Sequence, residues 1–412
     1  MRALDGPRAP SRGANAALDL AALIAMAEEG NPEIATERKE IDIATAAIWE
    51  ARLYPNPTLI VEFDDYPFSS RGGSNEGVAR AGVRVPIVVG DRLRAGSRAA
   101  EKEREVAALR YLWRRREVLL EVRKSYVDLL AARMSLDVAR ESQGVARALL
   151  ETAEARLAAE AVPEAEVLKS RVEASRADAE VAAAEASLRA AERALVATVG
   201  VPGVSPERVT GALVGGFVVP SLDAVQAAVL GRSHLEQIAQ AEQESARLQV
   251  AAARAERTPD LELEPTVGVN ADGDGVVGLG IGIPLPLNDR NQGKIAAAEA
   301  RVQQSRSRIE AARQQVTRRI VSAHRTLTMA QARASRLAAE IVPTAEKSLE
   351  QARLGHEKGK FTYLDVIDAR RTLSEARAAL ASALAELNAA AAELEMLTGF
   401  PLVPQEPNPK PQ

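Results

Sequence analysis

The chain has 412 residues, of which 46% are hydrophobic, 27% charged and only 3% aromatic, with a formal net charge of −4. Near-neutral balance, with basic residues such as Arg114, Arg115 and Arg116 in short clusters inside helical runs, gives no electrostatic basis for nucleic-acid binding. There is no cysteine, which excludes disulfides, zinc–thiolate sites and thiol chemistry. Met1 to Pro10 contains no apolar run of the length a secretory signal requires, and no segment approaches the ~20 apolar residues of a spanning helix. Residues 1–16 and the Pro-rich tail 402–412 are expected to be disordered.

In chain order, residues 17–29 read as a short amphipathic helix stopped by Gly30, and Asn31-Pro32 opens a second helix that runs to about Arg52. Tyr54-Pro-Asn-Pro57 breaks it. Leu59, Val61 and Phe63 then alternate with Ile60 and Glu62 as one strand, and Gly77 to Val85 return as another after the loop Ser69 to Asn75. The hairpin spans 57–86. From Asp91 to about Leu157 there is no proline, and Val106, Trp113, Leu120, Val127 and Met134 keep a seven-residue seam. At 1.5 Å per residue such a run measures on the order of 100 Å if unbroken, so it cannot fold back into a compact domain. A turn at Ala161-Val-Pro163 returns a partner helix to about Val199, and residues 202–220 form a linker.

Everything after the linker repeats what precedes it. Two helices from about Leu222 and His234 lead to a second hairpin, 260–287, and then to long helices over 289–398, the first reaching about Leu354. Asp272-Gly-Asp-Gly275 is a tight turn signal. Val277, Leu279, Ile281, Ile283 and Leu285 alternate with glycine and proline, which suits a barrel wall with little room on its inner side. Shifting the chain by 199 positions lays Asp365-Val366-Ile367 over Glu166-Val167-Leu168 and Arg370 over Arg171. Gly200-Val-Pro202 answers Gly399-Phe-Pro401, and Pro86, Asp91 and Arg92 answer Pro284, Asp289 and Arg290. The chain is therefore a tandem duplication, 17–201 and 221–401, of a unit far longer than a solenoid repeat. Two hairpins separated by so much helix leave exposed strand edges, so several chains must pool their strands or the hairpins must find another surface.

The turn between the last two helices carries the most chemistry. Thr362 has the form of an N-cap with Asp365 at N3, and Asp365 and Asp368 share one face of the first turns. Both acids also suit the positive end of a helix dipole. Behind them Val366, Leu373, Leu380, Leu387 and Leu394 recur every seventh residue, as Val167, Ala174, Val181, Leu188 and Leu195 do in the first repeat. Lys358, Lys360, Arg370 and Arg371 flank the two acids as available basic partners. His234, His324 and His356 are scattered without metal-ligand spacing, Asp272-Gly-Asp-Gly lacks the later ligands of a calcium loop, and Gly278-x-Gly-x-Gly282 lies inside a strand instead of opening a helix. No catalytic, cofactor or metal constellation emerges, so an enzyme is not expected.

The duplication, the passages Val85-Pro86 to Arg92 and Ile283-Pro284 to Arg290, and the segment Gly359 to Arg370 together resemble the outer-membrane efflux protein family, the TolC-like channel-tunnels, and within it the metal- and drug-efflux branch. The resemblance covers about Leu18 to Leu402. It implies a mainly α fold with a small β part: duplicated coiled-coil helices form an α-helical barrel in the periplasm. Four strands per chain enter a twelve-stranded transmembrane barrel of a homotrimer. It implies a passive conduit in the outer membrane that contacts lipid and docks with a periplasmic adaptor and an inner-membrane transporter. Asp365 and Asp368 match the spacing and place of the family's acidic periplasmic gate, with Glu166 at the corresponding position of the first repeat. A soluble coiled-coil scaffold is the alternative that heptads alone would support, and the paired hairpins argue against it.

Overall fold

The computed structural model describes residues 17–64, 77–270 and 272–404. The expected disordered N-terminus 1–16, the loop Ser69 to Asn75 and most of the tail lie outside the described residues. Two compact units share the chain: one takes residues 1–36, 112–233 and 314–412, the other 37–111 and 234–313.

The second unit is organised by one antiparallel sheet with strand order β1-β2-β3-β4, made of β1 (Thr58–Asp64), β2 (Val78–Ile87), β3 (Leu261–Asn270) and β4 (Gly275–Gly282). The two hairpins find each other within one chain: β2 pairs β3 from Val78↔Asn270 to Ile87↔Leu261. Only β1 and β4 are left as edges. The register puts Leu59 opposite Val83, Ala81 opposite Val267, Leu263 opposite Ile281 and Val267 opposite Val277, so one face is apolar across all four strands. That face is bare: Val277 is 86% exposed and Leu59 75%. The opposite face holds Arg80, ion-paired to Asp64 at 2.9 Å, and Arg84, paired to Glu262 and Glu264. Glycine on this face is steric necessity: a Cβ at Gly82 would lie 2.5 Å from the Pro265 carbonyl oxygen. The β3–β4 turn closes around Asn270, whose Oδ1 accepts from the amides of Asp272 and Asp274.

Helices build the first unit and make up the rest of the second. Asp19 caps α1 (Leu20–Gly30) by accepting from the Ala22 amide at 2.8 Å, and α2 (Pro32–Arg52) follows at once. The first repeat's long pair is α3 (Arg92–Ala158) and α4 (Glu164–Val199), and the second repeat opens with α5 (Leu222–Val229) and α6 (His234–Ala255). The matching Gly-x-Pro stops are left-handed caps, Gly200 at φ 71° and Gly399 at φ 76°, a conformation glycine adopts without Cβ strain. Leu23, Val122, Leu129, Leu195 and Val199 form the main buried cluster. The seven-residue seam of the last helix, α9 (Tyr363–Thr398), buries Val366, Leu373, Leu387 and Leu394, with Leu380 half-buried.

Two expectations change. The helix expected to reach about Leu354 continues to Glu357 but carries a π turn within it: α7 (Gln292–Arg336), the π turn at Leu337–Ile341, then α8 (Val342–Glu357). Pro343 explains this: it lacks an N–H and its ring collides with the carbonyl four residues back, and a widened turn relieves both. The tail expected to be disordered from residue 402 is bonded as far as residue 404, and the linker it meets is tied to the helices. Arg133 donates to the carbonyls of Pro206 and Val209, Tyr126 to that of Thr210, and Asn388 clasps Val214 through both its amide and carbonyl. Val218 bonds the Val403 carbonyl at 2.9 Å, so residues 402–404 are ordered against the linker.

Asn31 is the sharpest single test of this packing. It is 5% exposed; its Oδ1 accepts from the amides of Glu33 and Ile34, while its Nδ2 donates to the carbonyls of Thr198 and Val199 at the end of α4. Asn31→Ser should keep the cap and lose the tie, costing about 1 kcal/mol. Asn31→Asp keeps the cap but aims a carboxylate at two carbonyl oxygens and should cost on the order of 2–3 kcal/mol. Thermal unfolding in detergent, followed by circular dichroism, ranks the two; equal losses would contradict this account.

Candidate functional site

The turn between α8 and α9 is shaped by its backbone. Lys358 ends α8, Gly359 takes φ 70°, and the amides of Lys360 and Phe361 both donate to the Gly355 carbonyl. Phe361 lies against Gly355, where a Cβ would meet its ring. Thr362 then caps α9 in a full capping box: Asp365 Oδ2 accepts from the Thr362 amide and hydroxyl, both at 2.7 Å, and Thr362 Oγ1 accepts from the Asp365 amide at 3.4 Å. These bonds, the Thr362 hydroxyl's first, hold the Asp365 carboxyl below the usual carboxylate range. Asp368 is exposed one turn on; its backbone carbonyl accepts from Thr372. Asp365 therefore caps the helix while remaining at the surface, and Asp368 is not used by the cap.

Beside the acids lies a partly buried polar knot that joins this turn to the first repeat. Tyr363 is 6% exposed, lies near Ser170 of α4 and meets the edge of the His356 ring at 6.1 Å. Burial pushes its hydroxyl pKa up. Arg156 of α3 donates to His356 Nε2 at 2.9 Å, which leaves the Nδ1–H to donate to the Phe361 carbonyl at 3.2 Å. The same Arg156 sits 3.9 Å from Glu166. Glu166 is thus a half-buried acid facing a cation, unlike the exposed Asp365 that it matches in sequence.

The basic residues sort differently from expectation. Arg370 is 6% exposed and donates to the Ser142 carbonyl and hydroxyl at 3.1 Å each and to Glu173 at 3.0 Å, so it binds α9 to α3 and α4 and is not a partner of Asp365 or Asp368. Arg371 is held by Glu375 at 2.9 Å, with Asp368 adding only a lesser Coulombic pull. Lys358 and Lys360 are exposed and make no ion pair among the described residues. The sequence reading missed Arg377, which bonds Glu141 and Glu346 from two turns further along α9; its spacing of seven from Arg370 was the available signal.

The two strand-to-helix passages are alike in sequence and differ in bonding. Pro86 lies in β2 beyond the last β1 pair, opposite Glu262, where no ladder to β1 needs its missing amide. Arg92 joins Asp260 at 2.7 Å, bracing the base of β2 against β3, and Asp91 starts α3 by accepting from the Ala95 amide through its carbonyl. Pro284 follows β4; Asp289 accepts from the Asn291 amide, and Arg290 donates its Nε–H to the Pro286 carbonyl and makes no ion pair among the described residues. No group of three His, Asp or Glu positioned to hold a metal occurs among the described residues, and no described helix is long and apolar enough to cross a membrane.

Known proteins share this fold. The family model "Outer membrane efflux protein" fits residues 23–201 and 226–400. The cobalt-zinc-cadmium resistance protein CzcC of Cupriavidus metallidurans is 30% identical over 366 residues, covering 89% of this chain and 86% of that protein. Among solved structures, the outer membrane protein VceC of Vibrio cholerae superposes with a TM-score of 0.73 at 22% identity, covering 93% of this chain and 96% of that one. The CmeC outer membrane channel of Campylobacter jejuni gives 0.77 at 14% identity, covering 94% of this chain and 87% of that one. Matched in both halves by the family model and over most of its length by a relative, the chain belongs to the outer membrane efflux protein family.

Proposed function

We propose that this chain is the outer-membrane conduit of a tripartite efflux system exporting metal cations. Three copies close their sheets into one twelve-stranded barrel, and the helices continue as a periplasmic tunnel that docks with an adaptor and an inner-membrane transporter. The observation that carries the reading is the sheet: one face apolar and bare across four strands, the other charged and glycine-lined, with β1 and β4 as open edges. Such a sheet is unstable in water. Edge-to-edge closure satisfies its unpaired amides and carbonyls, and lipid covers its apolar face. The likeness to CzcC favours divalent metal cations as cargo. Energy comes from the partner transporter.

Within that assembly Asp365 and Asp368 form the gate. Three copies of each would ring an axis with carboxylates, a device that attracts and retains multivalent cations. Glu166 has Arg156 beside it and takes a supporting part, with Tyr363, His356 and Arg370 fixing where the acids stand.

Two measurements test this. The chain has no cysteine, so pairs introduced on the edges, at Leu59, Val61 or Phe63 of β1 and Val277, Leu279 or Ile281 of β4, report on closure without background. At least one pairing should yield covalent dimers and trimers on oxidation in membranes; monomer from all pairings would sink the barrel. The second uses planar-bilayer conductance with divalent cation titrated from the helical side. Asp368→Asn should weaken block and leave thermal stability unchanged, whereas Asp365→Ala should weaken block and also fray the start of α9. Acidification has the same sign. The Asp365 carboxyl is depressed in the fold, so its capping contribution is fully present above about pH 4 and is lost as pH falls through the lower folded value. Block that survives both substitutions would exclude these residues as the gate.

A further inference from the structure

The base of each hairpin carries a groove that neither the gate nor the barrel wall uses. Beyond the end of β4 a cavity of about 530 Å³ is lined by Leu285 and Leu287 together with Arg257, Arg290 and Lys294 and the acids Glu256 and Asp289. Both leucines are 73% exposed and follow β4 directly, carrying on in sequence the alternation of Val277, Leu279 and Ile281. The cations are not equivalent. Lys294 is neutralised by Glu256 at 2.9 Å, with Asp289 adding a further pull. Arg257 and Arg290 are exposed and make no ion pair among the described residues.

The first hairpin has the same construction. A cavity of about 500 Å³ is lined by Tyr54, Leu93, Arg94 and Arg98. Tyr54 is 71% exposed and Trp49, on the neighbouring end of α2, is 70% exposed. Arg98 is exposed and makes no ion pair among the described residues. Both halves thus keep one combination near the hairpin base: an exposed apolar or aromatic side chain and a guanidinium without an ion pair lining the same groove.

We propose that these two grooves bind the headgroups of anionic phospholipids at the rim of the membrane that the sheet enters; this rests on the membrane-spanning reading of the strands. A guanidinium fork matches phosphate oxygens in bidentate geometry. Tyrosine and tryptophan settle at the level of the headgroups, and exposed leucine takes the first methylenes of the acyl chains. An uncompensated arginine favours a headgroup with net negative charge over a zwitterionic one. Free phosphate has nothing to place against Leu285 and Leu287. A second copy seated in the groove would need an acid to meet Arg257 and Arg290.

The test uses the full chain reconstituted into phosphatidylcholine vesicles with and without a minor fraction of phosphatidylglycerol, then re-extracted in mild detergent for native mass spectrometry of retained lipid. The parent should retain phosphatidylglycerol above its share of the bilayer. Arg257→Gln/Arg290→Gln should reduce that enrichment by roughly fivefold per arginine, and Arg257→Lys/Arg290→Lys should keep most of it. Excess inorganic phosphate should not displace the lipid. Retained lipid that mirrors the bilayer, or equal enrichment in the parent and the glutamine variant, overturns the proposal while the membrane reading stands. Displacement by phosphate would show an anion site only. Loss of the trimer in the glutamine variant at every lipid composition would show the groove to be a subunit seat, and overturns it too. A parent that inserts into neither vesicle overturns the membrane reading and this inference with it.

Discussion

The structure depends on the backbone ladder between β2 and β3. It is the place where a strand from the first half of the chain, residues 78–87, pairs with a strand from the second half, residues 261–270. Without it there would be two isolated hairpins, each marginal and each with two open edges. With it the open edges fall to one pair per chain, and the two apolar faces merge into a continuous surface. Arg84 strengthens the junction from the polar side by reaching Glu262 and Glu264 across the seam between the halves. Arg92 does so at the strand base by pairing with Asp260. Steric fit and charge act together there. Gly82 and Gly268 let the two backbones approach, and a Cβ at Gly268 would lie 2.2 Å from the Ala79 carbonyl oxygen.

Duplication supplied the parts, and divergence gave them different tasks. Arg171 and Arg370 stand at matching positions. Arg171 makes an exposed pair with Glu154, and Arg370 is buried between three helices. Glu166 and Asp365 match too, yet one faces Arg156 and the other caps its own helix. The first repeat runs through α3 without a break, and the second is interrupted by a π turn before Pro343. In each case the second repeat carries the special feature.

Most of the architecture was legible because it rests on periodicity. A seven-residue apolar repeat, alternating strands and Gly-x-Pro stops are local signals, and self-comparison doubled each of them. The capping box at Thr362 and Asp365 was legible for the same reason: donor and acceptor are three residues apart. What stayed hidden was pairing at long range. Nothing local says that β2 meets β3, that Arg370 chooses Ser142 and Glu173 over the nearby aspartates, or that residues 402–404 bond the linker. Pro343 was visible, but its effect on the helix depends on whether packing can hold a widened turn together, and that is a tertiary property. The arginines of the hairpin bases were equally visible as residues. Their lack of acidic partners became apparent only once the partners of Lys294 and Arg92 were known.

Arg370 and Arg377 on α9 answer a weakness of the seam they accompany. Around the candidate gate the apolar contacts are mostly alanine: Ala345 and Ala352 of α8, and Ala369 and Ala376 of α9. Alanine allows close approach but offers little relief for ridges to lock into, so a slip of one turn costs little packing. A guanidinium has a fixed fork and short reach, and it is costly to bury unless its donors are met. Arg370 meets the Ser142 carbonyl, the Ser142 hydroxyl and Glu173 only in one register of α9 against α3 and α4. Arg377, two turns along, repeats the constraint on the preceding residue of α3, Glu141. Polar contacts here set position more than they add stability. Sliding α9 by a turn would leave a buried cation unpaired, and that penalty is what fixes Asp365 and Asp368 relative to the rest of the helix bundle.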